Sequence, residues 1–190
     1  MLNHTTYTVD GRTIHVFDGL FTKAEAEAIY VSICQLQFRV ANVNFLDVQG
    51  IQDKHLKADV DVSFLDSIKL FGGSRDEIIS PLFGEDFYMH KAYVNLGIKG
   101  DAHKCHVDAY HEGQGKTILY YANRDWDQNH GGETIFYNME QTEIAFVSSY
   151  KPGRLVIFDS DLPHSARPQT FDGPAYRFTL ALKYLRDVAS

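Results

Sequence analysis

The sequence predicts a mainly β protein, a jelly roll with flanking helices, folded as one domain over residues 1–190. Three observations carry this expectation. From Asp86 onward, short runs rich in Val, Ile, Thr, Tyr and Phe alternate with Gly, Asn, Asp and Pro turns, the spacing of strands in sandwiches and jelly rolls. Aromatic residues make up 13% of the chain, a share that suits a strand-rich core. A length of 190 residues matches one domain with one sizeable core, and no internal repeat or low-complexity segment divides it.

Taken in order, Thr6–Val9 and Thr13–Phe17 are expected to be short strands joined at Asp10-Gly11, a frequent hairpin pair. Thr22-Lys23-Ala24-Glu25 has the form of a capping box, in which hydroxyl and carboxylate satisfy free backbone N–H groups, so a helix is expected to run on to Leu36. Within it, Cys34 is expected in the core. Residues 41–61 are polar and irregular and longer than most loops in compact domains, which makes them a candidate substrate lid. A second helical stretch is expected over Val62–Leu82, broken at Gly72-Gly73. Residues 1–85 thus form support and lid, and 86–187 the jelly-roll core. Its expected strands are Phe87–Leu96, His103–Ala109, Thr117–Asn123, Glu133–Tyr137, Ile144–Val147, Arg154–Phe158 and Arg177–Leu185.

Charge narrows the function classes. A net charge of −7 with no cluster of Lys and Arg opposes a phosphate-binding surface, so no nucleic-acid partner is expected. No stretch approaches the ~18 apolar residues of a membrane span, and the start lacks the pattern of a secretory signal, so the default expectation is a cytoplasmic protein without a membrane partner. Cys34 and Cys105 are too few for a disulfide framework and are expected to be reduced.

The chemistry is expected in the second half. His106-Val107-Asp108 places two ligand-type side chains at i and i+2, on one face of a strand, with Cys105 and Val107 facing away. His164, just past the strand Arg154–Phe158, offers a third ligand. Two imidazoles and one carboxylate make the facial triad of non-haem Fe(II) sites, which leaves three coordination positions open. A 2-oxoacid can chelate iron through its keto oxygen and C1 carboxylate while O₂ takes the last position. Its distal carboxylate needs a partner, and Arg177 with Thr179 two residues on presents a guanidinium and a hydroxyl on one face. Tyr121 and Thr117, on a neighbouring strand, are candidates for further hydrogen bonds.

These residues resemble the prolyl 4-hydroxylase-like branch of the Fe(II)/2-oxoglutarate oxygenases. The resemblance runs from Lys91 to Tyr184 and rests on an ordered series: His106-x-Asp108, Thr117 to Asn123, Asp125-Trp126-Asp127, Gly131-Gly132-Glu133-Thr134, Arg154 to Phe158, His164 and Arg177-x-Thr179. It implies a double-stranded β-helix, the cupin-like form of the jelly roll. It also implies Fe(II), 2-oxoglutarate and O₂ as cofactor and co-substrates, and hydroxylation of an unactivated C–H bond with release of succinate and CO₂. By resemblance Tyr121 and Arg177 contact the C5 carboxylate and Thr134 lines that pocket, while a carboxylate at Asp108 favours hydroxylation over halogenation. Two departures stand out. Arg177 lies further beyond His164 than in many relatives, so Thr170–Ala175 is expected to form an enlarged loop. His103 stands where many relatives carry an aromatic residue.

The remaining candidates are weighed against simpler roles. A lone His-x-Asp is usually a surface pair; the ordered series is what makes it a site. His103 is a candidate for the substrate or for orienting a ligand, and a metal set of His103 with His106 is disfavoured by their opposite strand parity. Arg167 is a candidate substrate contact, with a surface ion pair or loop tether as the plainer role. Trp126 and Tyr120 suit a core, and Gly131-Gly132 a tight entry to a strand. A free amino acid or other small metabolite is the expected substrate; a prolyl or other peptidyl substrate is the alternative within the family. A cupin-type metal-binding protein or isomerase that does not use 2-oxoglutarate is the alternative of another class.

Overall fold

The computed structural model describes residues 2–41, 55–101, 103–109, 111–170 and 172–186. β1 (Asn3–Val9) and β2 (Arg12–Asp18) form the expected hairpin, with Asp10 and Gly11 both at positive φ (46° and 81°), as a two-residue turn matching strand twist requires. α1 (Lys23–Cys34) begins with both capping-box hydrogen bonds, Thr22 Oγ1 accepting from Glu25 N and Glu25 accepting from Thr22 N. It buries Ile29 and Ile33 and leaves Cys34 exposed, one step round the helix, which corrects the expectation of a core thiol. The second helical stretch is broken as expected: α2 (Val62–Ser67) and α3 (Ser74–Ile79) flank Gly72 and Gly73, both at positive φ, and a short 3₁₀ turn (Ser80–Leu82) follows.

Between these helices, part of the candidate lid is regular structure. β3 (Arg39–Ala41) and β4 (His55–Asp59) pair antiparallel, and β4 pairs with β5 (Phe87–Ile98). The stretch 42–54 lies outside the described residues. The other strands are β6 (Gly115–Tyr121), β7 (Thr134–Tyr137), β8 (Ile144–Ser148), β9 (Leu155–Asp159), β10 (His164–Ala166) and β11 (Tyr176–Arg186). They build a large sheet in the order β1-β2-β9-β6-β11-β5-β4-β3 and a small one in the order β10-β7-β8. Four of the eight strands in the large sheet come from before residue 61, so the N-terminal part extends the catalytic half's own sheet at both edges.

Alternation along the central strands sorts the core into two layers. Ile118 and Tyr120 on β6, with Phe178, Leu180 and Leu182 on β11, pack outward against Ile29, Ile33, Leu65 and Leu70. Leu119 and Tyr121, with Ala181, face inward to Phe136, Tyr150, Val156 and Phe158 between the two sheets. The inward parity continues along β11 through Arg177, Thr179 and Lys183. Polar residues interrupt an otherwise apolar inner face there. No described helix is long and apolar enough to cross a membrane.

Candidate active site

The expected strand His103–Ala109 is not formed. A single bridge stands in its place: His106 N donates to His164 O at 3.0 Å, and His164 N to His106 O at 2.9 Å. Asp108 N and Ala109 N then both donate to Ser160 O, at 2.7 and 3.0 Å, which ends any ladder because one carbonyl serves two successive amides. His164 starts β10, a strand that a three-residue run with no hydrophobic alternation does not announce in sequence. The backbone bridge therefore brings the two histidines together directly.

Nitrogen and oxygen atoms of His106, Asp108 and His164 lie within 4.8 Å of one another. His106 Nε2 is 3.8 Å from Asp108 Oδ1, and His164 Nε2 is 3.5 Å from Asp108 Oδ2. Each imidazole has Nδ1 against the carbonyl two residues back, Lys104 O at 3.0 Å and Leu162 O at 2.9 Å. A protonated Nδ1 donating there leaves Nε2 with its lone pair toward the cluster, the arrangement of an oriented metal ligand. Burial holds the His164 imidazole pKa down to about 4, against the pull of Asp108, so it is neutral near pH 7. Burial pushes the Asp108 carboxyl up, but Lys183, His164 and Thr117 outweigh it and leave its pKa below the usual range.

The cluster lines a pocket of about 400 Å³ on the inner face of the large sheet. Arg177 and Thr179 line it as well. Arg177 is 5% exposed; its Nε donates to Gly132 O at 2.8 Å, and its guanidinium lies 4.9 Å from the Tyr150 ring centroid. Among the described residues no carboxylate pairs with it, and burial lowers its pKa. Thr179 Oγ1 is buried without a hydrogen-bond partner. A buried hydroxyl without a partner is rare and costly unless something else satisfies it, and a carboxylate fits a guanidinium and an adjacent hydroxyl. The N, N, O donor set suits Fe(II) as it stands.

Other expected residues are distributed differently. Thr134 lines the pocket, and its Oγ1 accepts from the Tyr121 hydroxyl at 2.8 Å, so the fully buried Tyr121 meets the pocket through Thr134. Thr117 lies beside Asp108 and not beside Arg177: its Oγ1 donates to Asp108 Oδ2 at 2.7 Å, because it pairs in register with Lys183, well along β11 from Arg177. His103 lines the pocket despite its parity, since its segment is not a regular strand. Arg167 is exposed and lines a separate hollow with Gln128 and Glu133, and it forms no ion pair among the described residues; its backbone N–H ties to Glu133 O at 2.8 Å. Gly132 does more than open a strand. It sits at φ 81°, and a Cβ there would lie 2.9 Å from Trp126 and 3.1 Å from Arg177, so the missing side chain makes room for the guanidinium. The loop before Arg177 is held to the turn at 128–130, through Thr170 N to His130 O at 2.8 Å and Thr170 Oγ1 to Asn129 O at 3.1 Å.

Lys183 is the site residue that sequence reasoning missed. Its Nζ donates to Asp108 Oδ2 beside Thr117. Carrying the parity of Arg177 and Thr179 two more steps along β11 would have found it.

The model of the 2OG-Fe(II) oxygenase superfamily matches residues 91–184, about half of the chain. No curated protein matches it in sequence. Among solved structures it is similar to an oxidoreductase of the 2OG-Fe(II) oxygenase family from Burkholderia pseudomallei, with TM-score 0.68 and 16% identity over 92% of this chain and 86% of that one. It is similar to a prolyl-4-hydroxylase from Pseudomonas putida, with TM-score 0.63 and 16% identity over 92% and 93%. HygX from Streptomyces hygroscopicus, solved with nickel, 2-oxoglutarate and hygromycin B, has TM-score 0.64 and 12% identity over 93% and 84%. At these identities the structures establish the double-stranded β-helix fold, and the family match sets aside a cupin that does without the oxoacid. The chain belongs to the 2OG-Fe(II) oxygenase superfamily and is a 2-oxoglutarate-dependent dioxygenase.

Proposed function

We propose that residues 1–190 act as a single catalytic domain that hydroxylates a C–H bond of a small molecule, with His106, Asp108 and His164 holding Fe(II) and Arg177 anchoring 2-oxoglutarate. The observation that carries this reading is the buried Arg177, without a carboxylate partner among the described residues, lining the same pocket as the His-Asp-His cluster. Iron with 2-oxoglutarate and O₂ supplies the oxidising chemistry, yielding succinate and CO₂. The chain's own part is to position and to exclude water. Arg177 and Thr179 would pair with the C5 carboxylate. Tyr150 and Gly132 hold the guanidinium in place, and Tyr121 orients Thr134. Lys183 and Thr117 occupy Oδ2 of Asp108, which leaves Oδ1 for the metal.

A small-molecule substrate is favoured because, among the described residues, the N-terminal strands are spent on sheet edges rather than on a separate peptide-docking element. The pocket is also of a size that takes small ligands. A prolyl or other peptidyl substrate is the second reading, supported by the shared fold of the Pseudomonas putida prolyl-4-hydroxylase. Succinate release is to be measured with Fe(II), across amino acids, small metabolites and prolyl peptides. The expected result is turnover with a small molecule that is lost in Arg177→Ala. Turnover only with peptides would favour the second reading, and turnover unaffected by Arg177→Ala would end the proposed role of that residue.

A further inference from the structure

The wall that carries Arg177 also carries a second basic group, of which the proposed chemistry uses Lys183 alone. Lys57 on β4, Lys91 on β5 and Lys183 on β11 all line the pocket. Their ammonium groups surround one ring, 5.3, 5.4 and 5.9 Å from the centroid of Tyr93. Lys183 and Lys91 are direct cross-strand partners, and like charges placed so cost stability. Lys57 is 8% exposed, although lysine is almost never buried unless paired. Its only carboxylate partner among the described residues is Asp59, at 3.2 Å, which also receives Arg39. Lys91 forms no ion pair among the described residues. Burial, and next the charge of Lys57, lower its pKa.

Charge accounting shows what is missing. The two charges of a ferrous ion and the one of Arg177 are matched by Asp108 and the two carboxylates of 2-oxoglutarate. Among the described residues, Asp59 alone then faces Lys57, Lys91 and Lys183, with Arg39 competing for it. An excess of positive charge remains in a pocket of a protein whose net charge is −7. A lone exposed Lys91 would be an ordinary solvated side chain. Three ammonium groups gathered on one pocket wall, two of them largely buried, focus a field on whatever enters.

Resting on the oxygenase reading above, we propose that the substrate is itself an anion, a small molecule whose carboxylate or phosphate docks at Lys57 and Lys91 against Tyr93. Lys183, held by Asp108, adds its field between that group and the metal. The acidic group would thereby orient the substrate so that a C–H bond elsewhere in it faces the metal.

The test is calorimetry on the protein loaded with Mn(II) and 2-oxoglutarate, which occupies Arg177 and prevents turnover. The probes are the proteinogenic amino acids, their primary amides, O-phosphoserine and orthophosphate. At least one acid should bind about tenfold or more tighter than its amide, the size of one charge-assisted hydrogen bond. The double variant Lys57→Gln/Lys91→Gln should lose about tenfold or more of that affinity. Lys91→Gln alone, at an exposed position, should lose a measurable part of it. Tighter binding of O-phosphoserine and orthophosphate than of the carboxylates would identify phosphate as the group. Amides binding as well as acids, variants binding acids unchanged, no binding by any acid or phosphate, or loss of 2-oxoglutarate binding in the variants would each overturn the proposal. Absence of 2-oxoglutarate binding in the wild type is recorded first and is a separate result, since it overturns the reading on which this one rests.

Discussion

At Asp108 one oxygen is already engaged, since Lys183 and Thr117 both donate to Oδ2. Removing one partner of a buried pair leaves a charge without compensation, at a cost of about 3–5 kcal/mol. Lys183→Met is therefore expected to lower the melting temperature of the metal-free protein, and Ni(II) should raise it more in the variant than in the wild type. Equal metal-induced shifts in the two proteins would count against the pairing. Thr117→Val, which removes one hydrogen bond to the ligand, should weaken metal binding by about 10–100-fold, as partners of ligating groups commonly do. Metal titration of the variant decides this. His164 sets a pH dependence. Its folded pKa of about 4 lies below the unfolded 6.5, so the unfolded chain takes up a proton across that window and the native state does not. Stability is present above pH 6.5 and lost as pH falls toward 4, by an amount on the order of 3 kcal/mol. Denaturant unfolding of the metal-free protein at several pH values should show this slope, and His164→Gln should flatten it.

Elements announced by local chemistry were legible in the sequence. The capping box at Thr22 and Glu25 and the Asp10-Gly11 turn work through neighbours a few residues apart, so the chain itself displays them. Thr22→Ala is expected to cost about 1 kcal/mol, read as a shift in the denaturation midpoint. Features set by distant partners were not legible. The segment 103–109 stays irregular because Ser160 O takes two of its amides, and β10 exists because β7 lies beside it. Lys57 was hidden in a stretch whose polarity suggested a loop, although β5 recruits it into the sheet. Gly132 was legible as a turn residue but not as the floor beneath a guanidinium. Gly132→Ala meets positive φ and contacts of 2.9 and 3.1 Å, so it should displace Arg177 and weaken 2-oxoglutarate binding while metal binding persists. Calorimetry with each ligand separates the two effects.

Across the molecule, parity along two adjacent strands does most of the positioning. β6 and β11 send apolar side chains to the helices on one side and, on the other, present Thr117, Arg177, Thr179 and Lys183 to the space between sheets. The small sheet contributes His164 and Thr134 from across that space. His106, Asp108, His164, Arg177 and Thr179 could be read in sequence because their types and order suit one chemistry; the basic wall could not, because its lysines come from three strands far apart in the chain. The central claim is that one metal and one oxoacid share this pocket through those residues. It is tested most directly by anaerobic titration with Fe(II) and then 2-oxoglutarate, following the visible charge-transfer absorption of the chelate. One ferrous ion per chain is expected, with the absorption absent in Asp108→Ala and His164→Ala and needing about 100-fold more oxoacid in Arg177→Ala, the value of two charge-assisted hydrogen bonds. An absorption that survives loss of Asp108 or His164, or an oxoacid affinity indifferent to Arg177, would contradict it.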